Sequence, residues 1–158
     1  MHALASRRMA LPPRIVALAV ALTLGFAAAG CGGKKEADQG ELSKDVQAAC
    51  TGSALSAAPK LPPSFPQIEE DKLTYTQQST VGPTNVVEGY FNGDVKEAHE
   101  EFEKELKAAG YDILFNELED HDSEISWKGE ERTGQVAMRE ECGESDKTYV
   151  HITNRPAD

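Results

Sequence analysis

An apolar run at residues 15–29 constrains this chain more than any other feature of its sequence. It follows three arginines, Arg7, Arg8 and Arg14, and it ends in the small residues 27–30. A membrane-spanning helix needs about 20 apolar residues, so this run is too short to be one by default. A basic start, a short apolar core and a small-residue end are the parts of a secretory signal peptide. We therefore expect the folded part of the protein to come entirely from the residues after it.

A cysteine follows this segment directly, in the sequence Ala28-Ala29-Gly30-Cys31. Small residues before a cysteine at this place resemble the lipobox of bacterial lipoproteins, with Ala28 where that family usually has leucine. The resemblance covers residues 1–33. It implies that residues 1–30 are a removed signal peptide, that Cys31 is acylated, and that the protein is lipid-anchored on the extracytoplasmic face of a membrane, in the periplasm or at the cell surface. The alternative is an ordinary secretory signal cleaved nearby, which leaves Cys31 as a plain thiol.

The mature chain is strongly acidic. The full sequence has 16 Lys and Arg against 27 Asp and Glu, and residues 1–30 hold three arginines and no acid. Removing them leaves 13 basic and 27 acidic side chains, a net charge of −14. Such a surface repels phosphate backbones and offers no polybasic patch to anionic lipid. Nucleic acid is therefore excluded as a partner, and the membrane is expected to hold the protein through the lipid on Cys31.

Residues 31–64 are predicted to form a lipidated, flexible linker, because Gly, Ala, Ser, Lys and Pro dominate the segment. A chain of this size reaches on the order of 30 Å. A short helix at residues 42–50 is the one element expected within it. With Cys31 lipidated, Cys50 and Cys142 remain as an even pair, and outside the cytoplasm such a pair predicts a disulfide.

Residues 65–155 are predicted to form a single α+β domain. The strand-like runs are 73–77, 86–91, 111–115, 125–128, 135–139 and 148–152. The helix between the second and third runs is opened by Asp94, with Glu97 completing a capping box, and is closed by Gly110. Since its apolar stripe must be buried, we expect it to lie across one face of an antiparallel sheet of about five to six strands, in β-β-α-β-β-β-β order, with the other face in solvent. The predicted core is Phe102, Leu106, Ile113, Trp127, Val136, Val150 and Ile152.

In outline, this order after the Pro-rich stretch 61–66 is similar to that of small lipoproteins with one α+β extracytoplasmic domain. The run from Phe102 through Leu106 to Ala109, Gly110 and Tyr111 carries the likeness. It is a pattern of spacing rather than a specific motif, so it implies no activity.

The sequence carries no strong catalytic or metal-binding motif. Three weaker groups are His99 with Glu103, the acidic turn 120–124, and Met138 with Cys142 and His151. We place His99 and Glu103 on the charged face of the helix. The acids of the turn lack the spacing of a calcium loop. The third group needs Cys142, which is already assigned to a disulfide. No nucleophile elbow, H-E-x-x-H motif or phosphate-binding glycine loop is present. We therefore predict no enzyme, no cofactor and no metal ligand set.

The remaining interpretation is a non-catalytic binding or interaction module of the cell envelope, with an envelope protein as its partner. An exposed sheet face carrying Tyr75, Tyr149 and His151 is the predicted interaction face. Two alternatives stay open. One is a small-ligand or metal-ion binding lipoprotein that uses the turn 120–124, and the other is a structural or stress-related envelope protein.

Overall fold

A computed structural model describes residues 43–144 and 146–158. The predicted signal peptide and Cys31 lie outside these residues. The elements are α1 (Lys44–Thr51), β1 (Leu73–Val81), β2 (Thr84–Asn92), α2 (Val95–Ala108), β3 (Asp112–Leu118), β4 (Asp122–Gly129), β5 (Arg132–Arg139) and β6 (Lys147–Pro156). The predicted α+β class is confirmed.

The six strands form one open antiparallel sheet in the spatial order β1-β2-β6-β5-β4-β3. The strands β3 to β6 form a meander. Its last strand, β6, pairs with β2, so the hairpin of β1 and β2 continues the same sheet. The antiparallel sheet and the helix between its second and third strands are as predicted. The predicted order for the domain leaves out α1, which precedes β1 and belongs to the same folded unit.

The helix α2 is specified by its own sequence at both ends. The Asp94 carboxylate accepts a hydrogen bond from the Glu97 amide at 2.8 Å, and the Glu97 carboxylate accepts one from the Asp94 amide at 3.3 Å. This is the predicted capping box. After the helix, Gly110 adopts a φ of +83°, which lets the Tyr111 amide donate to the Leu106 carbonyl at 3.0 Å. The left-handed position favours glycine because it has no Cβ.

Replacing Asp94 with alanine should lower the free energy of unfolding by about 1 kcal/mol, because it removes an N-cap acceptor. Urea unfolding followed by circular dichroism measures the change. Lys96→Ala is the matched control, since its side chain is exposed and its ion pair with Glu100 is long at 3.8 Å. Equal losses in the two variants would show that the capping box contributes nothing specific.

The main core lies between the sheet and α2. Trp127 is fully buried at its centre, with ring centroids 5.4 Å from Phe65 and 5.1 Å from Tyr111. Six of the seven predicted core residues are fully buried. The seventh, Ile113, is partly buried against this cluster, because it lies on the edge strand β3.

The second half of the predicted linker 31–64 packs on the domain. Leu61 contacts the main core. The Lys60 carbonyl accepts a hydrogen bond from the Asn154 side chain at 2.9 Å, and the Lys60 amide donates to the Gln78 side chain at 2.9 Å. These contacts join residues far apart in the chain, so the Pro- and Ala-rich composition of the segment does not reveal them.

Candidate interaction face

The sheet face opposite α2, called here the outer face, is partly covered by α1. Tyr90 of β2 and Tyr149 of β6 point to this side and pack with Ala49 and Cys50 of α1. The prediction that this face is left to solvent is therefore wrong at this corner. The rest of the outer face, over β3, β4 and β5, carries no helix among the described residues.

A disulfide holds α1 in place. The Sγ atoms of Cys50 and Cys142 are 2.05 Å apart and join positions separated by 92 residues. Two further bonds fix the helix to β1. The Thr76 hydroxyl donates to the Ala49 carbonyl at 2.9 Å, and the Gln77 side-chain amide donates to the Asp45 carbonyl at 3.0 Å.

Beside α1, three polar side chains of β2 and β6 meet on the outer face. The Tyr149 hydroxyl donates to Glu88 Oε1 at 2.5 Å, and His151 Nδ1 lies 3.3 Å from both of those oxygen atoms. Burial and the adjacent Glu88 carboxylate raise the pKa of the Tyr149 hydroxyl well above its ordinary value. Tyr149 is therefore a neutral donor at physiological pH. Glu88 and His151 stay partly exposed, so the Glu88–Tyr149–His151 cluster presents a carboxylate and an imidazole at the surface.

The sequence predicted that Tyr75 shares this face with Tyr149 and His151. This prediction is wrong. Tyr75 pairs with Gly89 on the α2 side of the sheet and packs against the main core. Alternation from Leu73, which lies in the core, already places Tyr75 on this side. The β-bulge between Tyr75 and Gln77 changes only the residues after it, so that Gln77 lies on the outer face. Burial raises the pKa of the Tyr75 hydroxyl, which has no hydrogen-bond partner among the described residues.

The acidic turn after β3 borders a cleft of about 460 Å³ at the start of α2. His121 projects from this turn, and its Nδ1 lies 2.6 Å from Glu140 Oε2. The hydrogen bond to this carboxylate raises the pKa of His121. In the described part of the chain, no three His, Cys, Asp or Glu side chains come together as a metal-binding group. The cleft thus holds one ion pair and scattered carboxylates.

Its spacing suggested that His99 lies with Glu103 on the charged face of α2. In the structure, His99 is buried instead. Its side chain reaches β4, where Nδ1 lies 2.5 Å from the Ser123 hydroxyl, and that hydroxyl donates its proton to the Glu117 carbonyl at 2.9 Å. His99 Nδ1 must therefore carry the hydrogen of this bond. Burial lowers the pKa of His99 below its ordinary 6.5, against the opposing effect of Glu103 and Glu100.

This buried histidine should make folding stability depend on pH. Below pH 6.5 the unfolded chain takes up a proton that the folded His99 does not, so stability should fall as pH falls towards the folded-state pKa. Urea unfolding across pH 5 to 7.5 measures the slope, and His99→Asn should flatten it while retaining a donor for Ser123. His121→Asn is the control. The pKa of His121 is raised, so this histidine stabilises the fold at low pH and loses that effect as pH rises. Its removal should therefore not flatten the slope. An unchanged slope in His99→Asn would contradict this assignment.

Met138, Cys142 and His151 are not brought together. Met138 is fully buried on the α2 side of β5, while His151 lies on the outer face and Cys142 is in the disulfide. Sequence reasoning also missed Glu88 as the partner of Tyr149 and His151. Its alternation with Val87 and Gly89 marks it as an outward position, but only the β2–β6 register places it opposite His151.

No protein-family model, no curated protein and no solved structure matches this chain. Neither helix of residues 43–144 and 146–158 is long and apolar enough to span a membrane.

Proposed function

We propose that this chain is a membrane-anchored extracytoplasmic lipoprotein whose domain is a non-catalytic interaction module of the cell envelope. The lipobox-like segment with Cys31 supports the anchor. A disulfide between Cys50 and Cys142 suits an oxidising compartment outside the cytoplasm. The lipid on Cys31 attaches the protein to the membrane, and an envelope protein is the partner.

The observation that carries the interaction role is the Glu88–Tyr149–His151 cluster. Its buried member, Tyr149, is fixed by a 2.5 Å hydrogen bond and by packing against α1. The two partly exposed members are therefore held in one arrangement before a partner arrives, and this lowers the entropic cost of binding. The acidic turn 120–124 is the weaker candidate, because its carboxylates do not converge on one point.

The disulfide also sets how far the domain extends from its anchor. Because α1 is fixed to the sheet from Lys44 onward, only residues 32–43 separate the anchor from the domain. Their composition predicts a flexible chain with a reach of about 17–21 Å, in place of the roughly 30 Å expected for the whole linker. We therefore expect partners to lie close to the membrane that holds the lipid.

Photo-crosslinking in cells tests the interaction role. A photoreactive residue replaces Gln135, which pairs beside the cluster on the open part of the outer face, in the full-length protein. The expected result is one discrete adduct that disappears in the Tyr149→Phe, His151→Ala background. The control places the same residue at Lys96, on the exposed side of α2, and should give no adduct. An adduct that survives the double substitution would overturn the proposed role of the cluster.

A further inference from the structure

The strand β3 forms an open edge of the sheet. At the opposite edge, the chain itself covers part of β1, where the Leu55 amide donates to the Tyr75 carbonyl at 2.8 Å. Residues 112–118 of β3 make no backbone-to-backbone hydrogen bond beyond their ladder with β4, within the described chain. A row of such unpaired groups is a template for another strand.

Large apolar side chains accompany this open edge. Leu114, Phe115 and Leu118 are 60%, 46% and 42% exposed. The register between β3 and β4 shifts between Ile113 and Phe115, and this bulge helps to turn Leu114 and Phe115 away from the core. Leu114 lines a shallow groove of the outer face with Ser126 and Gln135. Leu114 and Phe115 form an apolar contact surface that the fold itself does not use, whereas Leu118 pairs with Ser123 and borders the cleft at the start of α2.

The charge around this edge indicates what can bind there. Residues 108–127 contain six carboxylates and no Lys or Arg. Asp112 and Glu117 lie on β3 itself, and both are exposed. A second copy of the chain would bring two such edges together, and like charges opposite one another destabilise strand pairing. A basic segment is attracted by the same negative charge.

We propose that β3 accepts an extended segment of an envelope protein, rich in Lys or Arg and in apolar residues, as a seventh strand. Backbone hydrogen bonds to residues 112–118 supply affinity, as in other cases of strand addition. Phe115 and Glu117 lie on the same face of the sheet. The apolar residues of the segment therefore contact Leu114 and Phe115, and basic residues at neighbouring positions on that same face meet Glu117. Three strand spacings, about 15 Å, separate this edge from the β6 residues of the cluster, and its β2 residue lies one strand further away, so each proposal can fail without the other.

Two acetylated nine-residue peptides test this proposal with the full mature chain in detergent. One carries lysine and valine in turn at every second position, with threonine between them, and the other has glutamate in place of lysine. Hydrogen exchange followed by mass spectrometry and fluorescence anisotropy report the site and the affinity. The lysine peptide should bind and slow amide exchange in residues 112–118, and the glutamate peptide should not.

Substitutions separate a seated strand from simple charge attraction. Phe115→Ser and Glu117→Lys should each weaken the lysine peptide about tenfold. Val81→Ser is the matched control, because Val81 is also exposed but lies at the end of β1, and it should leave the affinity unchanged. Binding without protection of residues 112–118, equal affinity in Phe115→Ser, or dimers paired through β3 without peptide would each overturn the proposal.

Discussion

Replacing both Cys50 and Cys142 with alanine is expected to lower the free energy of unfolding by about 4–5 kcal/mol. The bond closes a loop of 92 residues, and the chain-entropy model assigns roughly this value to a loop of that length. Small domains have total stabilities of about 5–15 kcal/mol, so the loss is a large fraction of the whole. Urea unfolding of the variant against the parent protein, both carrying Cys31→Ser to prevent mispairing, measures it.

Reduction of the parent protein serves as the control for this variant. Both forms lack the cross-link, so their unfolding midpoints should agree. Amide exchange in α1 should also rise in both, because the bonds from Thr76 and Gln77 and the packing against Tyr90 and Tyr149 then hold the helix without a covalent link. A loss of less than about 1 kcal/mol would mean that α1 and its contacts do not depend on the cross-link.

Truncating Trp127 to alanine should cost about 3–5 kcal/mol, the range typical of a large aromatic residue removed from a packed core. Its ring is fully buried between Phe65 and Tyr111, and a Cβ added at Gly134 would lie 2.5 Å from it. Gly134, which faces the ring, has no side chain that could move into the space left by alanine. Circular dichroism should follow the unfolding of the variant, since Trp127 is the one tryptophan of the chain.

Trp127→Phe separates volume from polarity at this position. The indole Nε1 is buried without a hydrogen-bond partner among the described residues, so phenylalanine removes an unsatisfied donor as well as part of the ring. We expect it to cost clearly less than alanine. Equal losses in the free energy of unfolding for the two substitutions would show that the volume of the ring does not determine stability at this position.

Local sequence patterns were sufficient for the best-defined parts of the fold. The helix α2 carries its N-cap at Asp94, its stopping residue at Gly110 and an apolar stripe between them. Period-two alternation predicted most strands and the burial of Trp127, Val136, Val150 and Ile152. These features depend on residues a few positions apart, so a single sequence contains them.

The features that the sequence did not reveal depend on long-range pairing or on interrupted alternation. The β-bulge after Tyr75 brings Gln77 to the outer face, and the one after Ile113 helps to expose Leu114 and Phe115. His99 lies on a charged-looking turn of α2, but β4 supplies Ser123 as its partner. Glu88 meets Tyr149 and His151 only through the β2–β6 register, which no local pattern encodes.

Intact mass of the protein extracted from membranes, measured before and after reduction, tests the central proposal most directly. A lipid-anchored, oxidised chain should show the mass of residues 31–158 plus acyl groups, and reduction should add two hydrogens for the bond between Cys50 and Cys142. The acyl mass should disappear in Cys31→Ser, and that variant should leave the membrane fraction. A mass without lipid, in a protein that still cofractionates with membranes, would contradict the anchor and the short tether derived from it.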